Sequence, residues 1–348
     1  MKRFIILAPN WLGDAVMALP AIADLRRAAP DASIAVAARP AIAPLFALMP
    51  DVNETIVLNS GRPEGLEGLS PAVMRWRTLG VELAGRHFDT ALLLPNSMHA
   101  ALIAARAAIP ERWGYATDWR GRLLTRAIAP PSGLHQVDYY QHLVHALGFP
   151  NGSVVPRVAV SDAARDAGLR ALTAAGWDGR SPLVALAPGA AYGGAKKWPP
   201  ESFAELAAAL AADGVQCVMI GAAADASTAA EVARAARFED RGGSERPALL
   251  NTVGRTDLAT LAGVLTHCRA LVTNDSGAMH FGAAAGVAVT AVFGPTNEHA
   301  TRPMGDAHVV VSHSVWCRPC MLRECPLDHR CMRGVGVARV LDAARRNL

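Results

Sequence analysis

The sequence predicts an α/β protein built from two doubly wound parallel sheets, and three observations carry that expectation. Short apolar runs alternate with helical patterns along the chain, the mark of parallel strands joined by crossover helices. Two of the runs, RFIILAP at 3–9 and PLVALAPG at 182–189, both end in Ala-Pro, and each is followed by a polar, glycine-containing loop and a helical pattern. These runs lie about one domain length apart, and 348 residues suffice for two domains of ordinary size.

In the first half, GDAVMALPAIADLRRAAP reads as a helix leaving the first loop, ASIAVAAR (32–39) as a strand, and TALLLPN (90–96) as another. In the second half, PPESFAELAAALAADG is a helix. Prolines mark its start, Phe203, Leu206, Ala207 and Leu210 form one face, and Gly214 ends it. VQCVMIGA (215–222) is the next strand, DLATLAGVLTHC (257–268) a helix, ALVTND (270–275) a strand, and GVAVTAVFG (286–294) closes the series. The junction falls within 150–182, where FPNGSVVPRVAV and AAGWDGRSP supply linker chemistry around one helix. The expected domains are 1–165 and 166–334.

Composition narrows the function. Hydrophobic residues make up 51% and charged residues 18%, enough for a sizeable core, and a net charge of +4 gives no nucleic-acid footprint. The opening MKRFIILAPNWLGDAVMALPAIA imitates a secretory signal, but Pro9, Asn10, Gly13 and Asp14 interrupt its apolar part. The uncharged run 276–297 is long enough to span a bilayer, yet Gly286, Gly294 and Pro295 divide it. Both read as buried parts of a soluble, cytoplasmic protein without a transmembrane segment.

Ligands of doubly wound sheets bind outside the carboxyl ends of the strands. The loops to weigh are therefore 8–14, 95–99, 188–198, 221–225 and 274–280. In the last, a strand gives way to Asn274-Asp275-Ser276-Gly277 and then to a helix. The first amides of a helix lack internal partners and sit at the positive end of its dipole, so small residues at Ser276, Gly277 and Ala278 would let a diphosphate approach them. Asp275 is expected to turn inward as an N-cap, and a plain capping role for the whole turn stays open. Asn274 and Ala278 break the G-x-S-x-G pattern of a serine hydrolase. His280 lies one turn into the helix, facing a ligand or simply packed.

APGAAYGGAKKWPPESF (187–203) nearly spells a nucleotide-binding P-loop, but Gly194 is followed by Ala-Lys-Lys, with no Ser or Thr to hold Mg²⁺. The loop instead offers Lys196 and Lys197 to a diphosphate, or to solvent. No G-x-G-x-x-G follows any strand, which disfavours a dinucleotide-linked oxidoreductase. In APNWLGDAVMALP (8–20), Asp14 begins a helix, where it either caps or accepts a proton from an incoming hydroxyl. A diphosphate held by the second domain and a carboxylate offered by the first suit group transfer from a nucleotide donor.

NWLGDAVMALPAI, LLLPNSMHAALIAARAAIPERWGY, APGAAYGGAKKWPPESFAEL and VTNDSGAMHFGAAAGVAVTAVFGPT resemble the bacterial ADP-heptose:lipopolysaccharide heptosyltransferases. The likeness covers nearly the whole chain, in order, and is nearest to the members that add the second heptose of the inner core. It implies a GT-B architecture of two Rossmann-like domains facing across a cleft, with residues 335–348 as a terminal helix returning to the first domain. It also implies an inverting, metal-independent transfer from ADP-heptose to the lipopolysaccharide inner core at the inner membrane surface, without a cofactor. By this resemblance Asp14 is the base and Lys196 neutralises the leaving diphosphate. Asp275, Ser276, Gly277, Ala278 and His280 form the donor loop, with Lys197 beside it, and Asn251 lies near the nucleoside. Asn96 and Ser97 face the acceptor. Arginines 106, 112, 120, 122 and 126 offer an acceptor-facing patch, with Arg120 and Arg122 as its expected contacts, or a solvated surface. Another core sugar transferase of the same fold and a non-catalytic nucleotide-sugar binder are the rival readings.

One segment departs from the pattern. CRPCMLRECPLDHRCM (317–332) spaces Cys317, Cys320, Cys325 and Cys331 around His329. The spacing suits either a small structural metal knuckle or free thiols capping a loop, and it is not needed for transfer. Cys217 and Cys268 read as core residues.

Overall fold

The computed structural model describes residues 1–58, 71–239 and 249–348. The chain divides into two compact units, Met1–Pro156 and Arg157–Leu348.

Among the described residues the first unit holds six parallel strands: β1 (Arg3–Leu7), β2 (Ser33–Ala38), β3 (Glu54–Val57), β4 (Thr90–Leu93), β5 (Glu111–Tyr115) and β6 (Arg126–Ile128). Their order is β3-β2-β1-β4-β5-β6. The second unit repeats the plan with β7 (Leu183–Ala187), β8 (Gln216–Met219), β9 (Leu249–Asn251), β10 (Ala270–Asn274), β11 (Ala288–Phe293) and β12 (Val309–Ser312), in the order β12-β11-β10-β7-β8-β9. Counted within its own unit, each sheet runs 3-2-1-4-5-6, the Rossmann order. The central strands β1, β4, β7 and β10 are buried on both faces, which is why they read as unbroken apolar runs rather than alternations.

The helix expected after the first loop is two helices, Leu12–Met17 and Leu19–Ala28, meeting at Ala18. Pro20 sits in the first turn of the second, where its missing N–H does no harm, but it cannot donate to a continuous ladder. The expected domain boundary at 165/166 falls inside the helix Asp162–Ala174. That helix belongs to the second unit because it crosses Leu258–Thr266 at very close range. A Cβ on Gly168 would lie 2.2 Å from the Gly263 carbonyl carbon, and one on Gly263 would lie 1.8 Å from the Ala164 oxygen.

The terminal helix, Val337–Arg345, belongs to the second unit. Its apolar stripe of Val340, Ala343 and Ala344 is buried in the second unit's core with Val272, Val292 and Trp198. Arg345 adds an ion pair with Asp213 at 2.8 Å.

Candidate active site

The Rossmann order places a topological switch point between β1 and β4 in the first sheet and between β7 and β10 in the second. Loops leaving the carboxyl ends at a switch point diverge to opposite faces and leave a crevice for a ligand. Asp14 follows β1, Asn96 and Ser97 follow β4, Lys196 and Lys197 follow β7, and the Asp275–Ala278 turn follows β10. Asn251 ends β9, three strands from β10, so it is on the same edge but distant from the rest.

In the second unit Asn274 joins the two loops. Its Nδ2 donates to the Pro188 carbonyl at 2.8 Å, and its Oδ1 accepts from the Trp198 amide at 3.0 Å. Trp198 is fully buried and donates its indole N–H to the Val335 carbonyl at 2.9 Å, which fixes the far end of the glycine loop. Lys196 is thereby brought to Asp275, Nζ to Oδ2, at 2.6 Å. Thr296 Oγ1 donates to the same oxygen at 2.6 Å, and the ammonium also lies 4.7 Å from the centre of the Tyr192 ring.

The carboxylate of Asp275 therefore does not cap the helix. Ser276 occupies the N-cap of Gly277–Ala284 and makes no side-chain cap bond, while Asp275 turns to Lys196 and Thr296. A charged partner outcompetes a backbone amide, since an ion pair with a hydrogen bond gains more in a desolvated place than a cap bond does. Ser276, Gly277 and Ala278 are partly exposed between the buried Asp275 and Met279, so the mouth of the helix is accessible, whereas His280 is buried. Lys197 faces elsewhere. It donates to Thr228 Oγ1 at 2.8 Å and lines a separate cavity of about 920 Å³ with Arg234, His329 and Arg333. The lysine pair thus splits, and the structure does not bring Lys197 to the Lys196–Asp275 pair.

In the first unit Asp14 sits in the first turn of Leu12–Met17, with Trp11 at the N-cap and no side-chain cap bond. It is half-buried, and its charge adds to burial in raising the pKa of the Tyr140 phenol, which stays neutral. Asn96 is exposed and donates to Tyr139 Oη at 2.8 Å. Ser97 caps the helix Met98–Arg106, accepting from the Ala100 amide at 3.4 Å.

Arg120 overturns its expectation. It is wholly buried, donating to the Tyr115 carbonyl at 2.9 Å, the Ser97 carbonyl at 3.3 Å and the Pro95 carbonyl. Burial lowers its pKa to about 10. The guanidinium ties the β4 and β5 loops together, so it is no acceptor contact. Arg112 likewise binds the Leu123 carbonyl at 2.7 Å and the Ile109 carbonyl at 2.6 Å, and Arg126 lies over the Trp113 ring. Of the two predicted arginine contacts, Arg122 is the exposed one.

Sequence reasoning missed Thr296, Tyr192 and the tying role of Asn274. Asn274 stood in the quoted turn, but only a fold that brings β7 beside β10 reveals what it joins. The cysteine segment was also read without its contacts. The Arg323 carbonyl accepts from the Ala195 amide at 2.9 Å, Glu324 accepts from the Gly194 amide at 3.0 Å, and Tyr192 Oη donates to the Met321 carbonyl at 2.7 Å. A Cβ on Gly193 would meet the Arg323 oxygen at 2.3 Å, so glycine is required where the segments touch. The four thiols are free, and burial together with the neighbouring thiols pushes that of Cys331 up. Among the described residues, no three His, Cys, Asp or Glu side chains are gathered so as to hold a metal ion, and no helix is long and apolar enough to cross a membrane.

Two Rossmann-like units, each presenting polar loops at its switch point, define the GT-B class of glycosyltransferases. The model of glycosyltransferase family 9 (heptosyltransferase) matches residues 76–330, and the chain belongs to that family. It is 32% identical over 313 residues to lipopolysaccharide heptosyltransferase 2 of Salmonella typhimurium, covering 87% of this chain and 85% of the relative. With the Escherichia coli protein of the same name it shares 30% over 311 residues, covering 87% and 85%. The solved structure of E. coli ADP-heptose lps heptosyltransferase II superposes with a TM-score of 0.82 at 28% identity, covering 99% of this chain and 98% of that one.

Proposed function

We propose that this glycosyltransferase moves heptose from ADP-heptose onto the first heptose of the lipopolysaccharide inner core, releasing ADP. The observation that carries the reading is the Lys196–Asp275 pair at the mouth of the helix Gly277–Ala284. It sets an ammonium and unpaired helical amides at one place, as a departing diphosphate requires. The likeness to relatives named heptosyltransferase 2 along most of the chain supplies the sugar and the acceptor.

The reaction is a single inverting displacement. The acceptor hydroxyl oxygen forms a bond to the anomeric carbon as the bond from that carbon to the diphosphate oxygen breaks. Asp14 takes the hydroxyl proton, and the electron pair leaves on ADP. Lys196 and the amides following Ser276 stabilise the charge that develops on the leaving oxygen, and they act in a partly desolvated place where such groups count for more than in water. His280 packs behind this loop, and Asn251 serves the nucleoside end. Asn96 and Arg122 serve the acceptor, and Ser97 holds their loop in form. The acceptor's lipid places the enzyme at the cytoplasmic face of the inner membrane.

Asp14→Asn tests the chemistry. It keeps ADP-heptose binding and lowers the transfer rate by about 10²–10⁴-fold, the range a general base supplies. Transfer at the wild-type rate would remove Asp14 as the base.

A further inference from the structure

Trp119 is the largest kind of apolar side chain and is 94% exposed. It stands in the loop after β5, in a backbone that resists it: Asp118 has φ 51° and Trp119 φ 58°, two successive non-glycine residues in the left-handed region. The loop holds this conformation through several contacts. Asp118 Oδ2 accepts from the Met98 amide at 2.6 Å, and Thr117 Oγ1 donates to the Asn96 carbonyl at 2.9 Å. The buried Arg120 anchors the next residue to the carbonyls of Tyr115 and Ser97. The indole is thus displayed on a turn rigidly fastened to the β4 loop.

Its place in the sheet says what it serves. β1, β4 and β5 are neighbours, so the loops carrying Asp14, Asn96 and Trp119 leave the same edge side by side. Adjacent strands are about 4.8 Å apart, which puts the β1 and β5 loops about 10 Å from each other, close to the span of a disaccharide. A sugar delivering a hydroxyl to Asp14 also carries faces of C–H bonds, which the exposed polar Asn10, Asn96 and Ser97 do not cover. The indoles of Trp11, half-exposed in the β1 loop, and of Trp119 are the apolar surfaces on these loops.

We propose that Trp119 is a stacking platform for a saccharide ring of the acceptor, positioning it against Asp14. The electron-rich face of the indole attracts the slightly positive C–H bonds of a pyranose. A membrane contact by the same indole is the alternative, and the deacylated acceptor used below separates the two.

The inference rests on the reading of the Asp14 edge as the acceptor side, and the test separates the two. The full-length protein and the variants Trp119→Leu and Trp119→Phe are assayed with saturating ADP-heptose. The acceptor is heptosyl-Kdo2-lipid A, used in acylated and fully deacylated forms. Trp119→Leu is expected to raise KM for both acceptors about three- to tenfold, the worth of one aromatic contact. Trp119→Phe restores most of that loss, and ADP affinity and Tm stay at wild-type values because the indole touches neither donor nor core. An unchanged acceptor KM in Trp119→Leu, with transfer still dependent on Asp14, overturns the platform alone. A rise confined to the acylated acceptor overturns it in favour of a membrane contact. Transfer that survives Asp14→Asn overturns the underlying reading instead.

Discussion

The ammonium of Lys196 and the carboxylate of Asp275 lie 2.6 Å apart, joining the loop after β7 to the turn after β10. Both side chains are largely shielded, 13% and 5% exposed, and Thr296 completes the carboxylate's hydrogen bonding. The pair therefore sets the position of the cation as well as its charge. Asp275→Asn leaves the ammonium without its counterion, and this is expected to lower stability by about 3 kcal/mol in urea unfolding. Thr296→Val removes one bond to a charged acceptor and costs about 2 kcal/mol. Wild-type stability in both variants would show that the pair does not hold the loops together.

Arg120 and Arg122 separate structure from recognition. Arg120→Met strips hydrogen bonds from three carbonyls, that of Tyr115 buried and those of Pro95 and Ser97 partly so, and lowers stability by about 3 kcal/mol, read as a fall in Tm. Arg122→Ala, at an exposed position, leaves Tm within error and raises KM for the anionic acceptor. The reverse pattern would return Arg120 to the acceptor surface.

The crossing of Gly168 and Gly263 has no room for a side chain. Gly263→Ala forces apart the helices Asp162–Ala174 and Leu258–Thr266 and is expected to cost about 3 kcal/mol. Thermal unfolding of that variant checks the prediction, and an unchanged Tm would mean that the helices separate freely.

Much of this was legible before the fold was known. The central strands announced themselves as apolar runs because each is buried on both faces, and the loops that end them include the Lys196–Asp275 centre. The outer strands did not. β9 is three residues long and β5 reads ERWGY, too short or too polar for a periodic signal. Asp275 was misjudged because local sequence sees only the helix that follows, whereas its partner Lys196 is 79 residues away. Arg120 failed for the same reason. An arginine among arginines looks solvated until the strand order places three carbonyls around it.

Asp257 gives a pH signature. It caps the helix Leu258–Thr266, and hydrogen bonds from Thr260 hold its pKa below the ordinary 3.8. A depressed carboxylate pKa contributes stability that is complete above the unfolded value and is lost as pH falls through the folded one. Asp257→Ala should therefore cost about 1 kcal/mol at neutral pH. The gap to wild type closes below about pH 4 in acid unfolding. A gap that persisted at pH 2 would show that the cap does not act through its charge.

The most direct test of the whole account offers the purified protein ADP-heptose with Kdo2-lipid A acceptors bearing zero, one or two heptoses. The account predicts one added heptose on the singly heptosylated acceptor, with release of ADP, and little turnover on the other two. Preferred transfer to the acceptor without heptose, or none to any of the three, would contradict it.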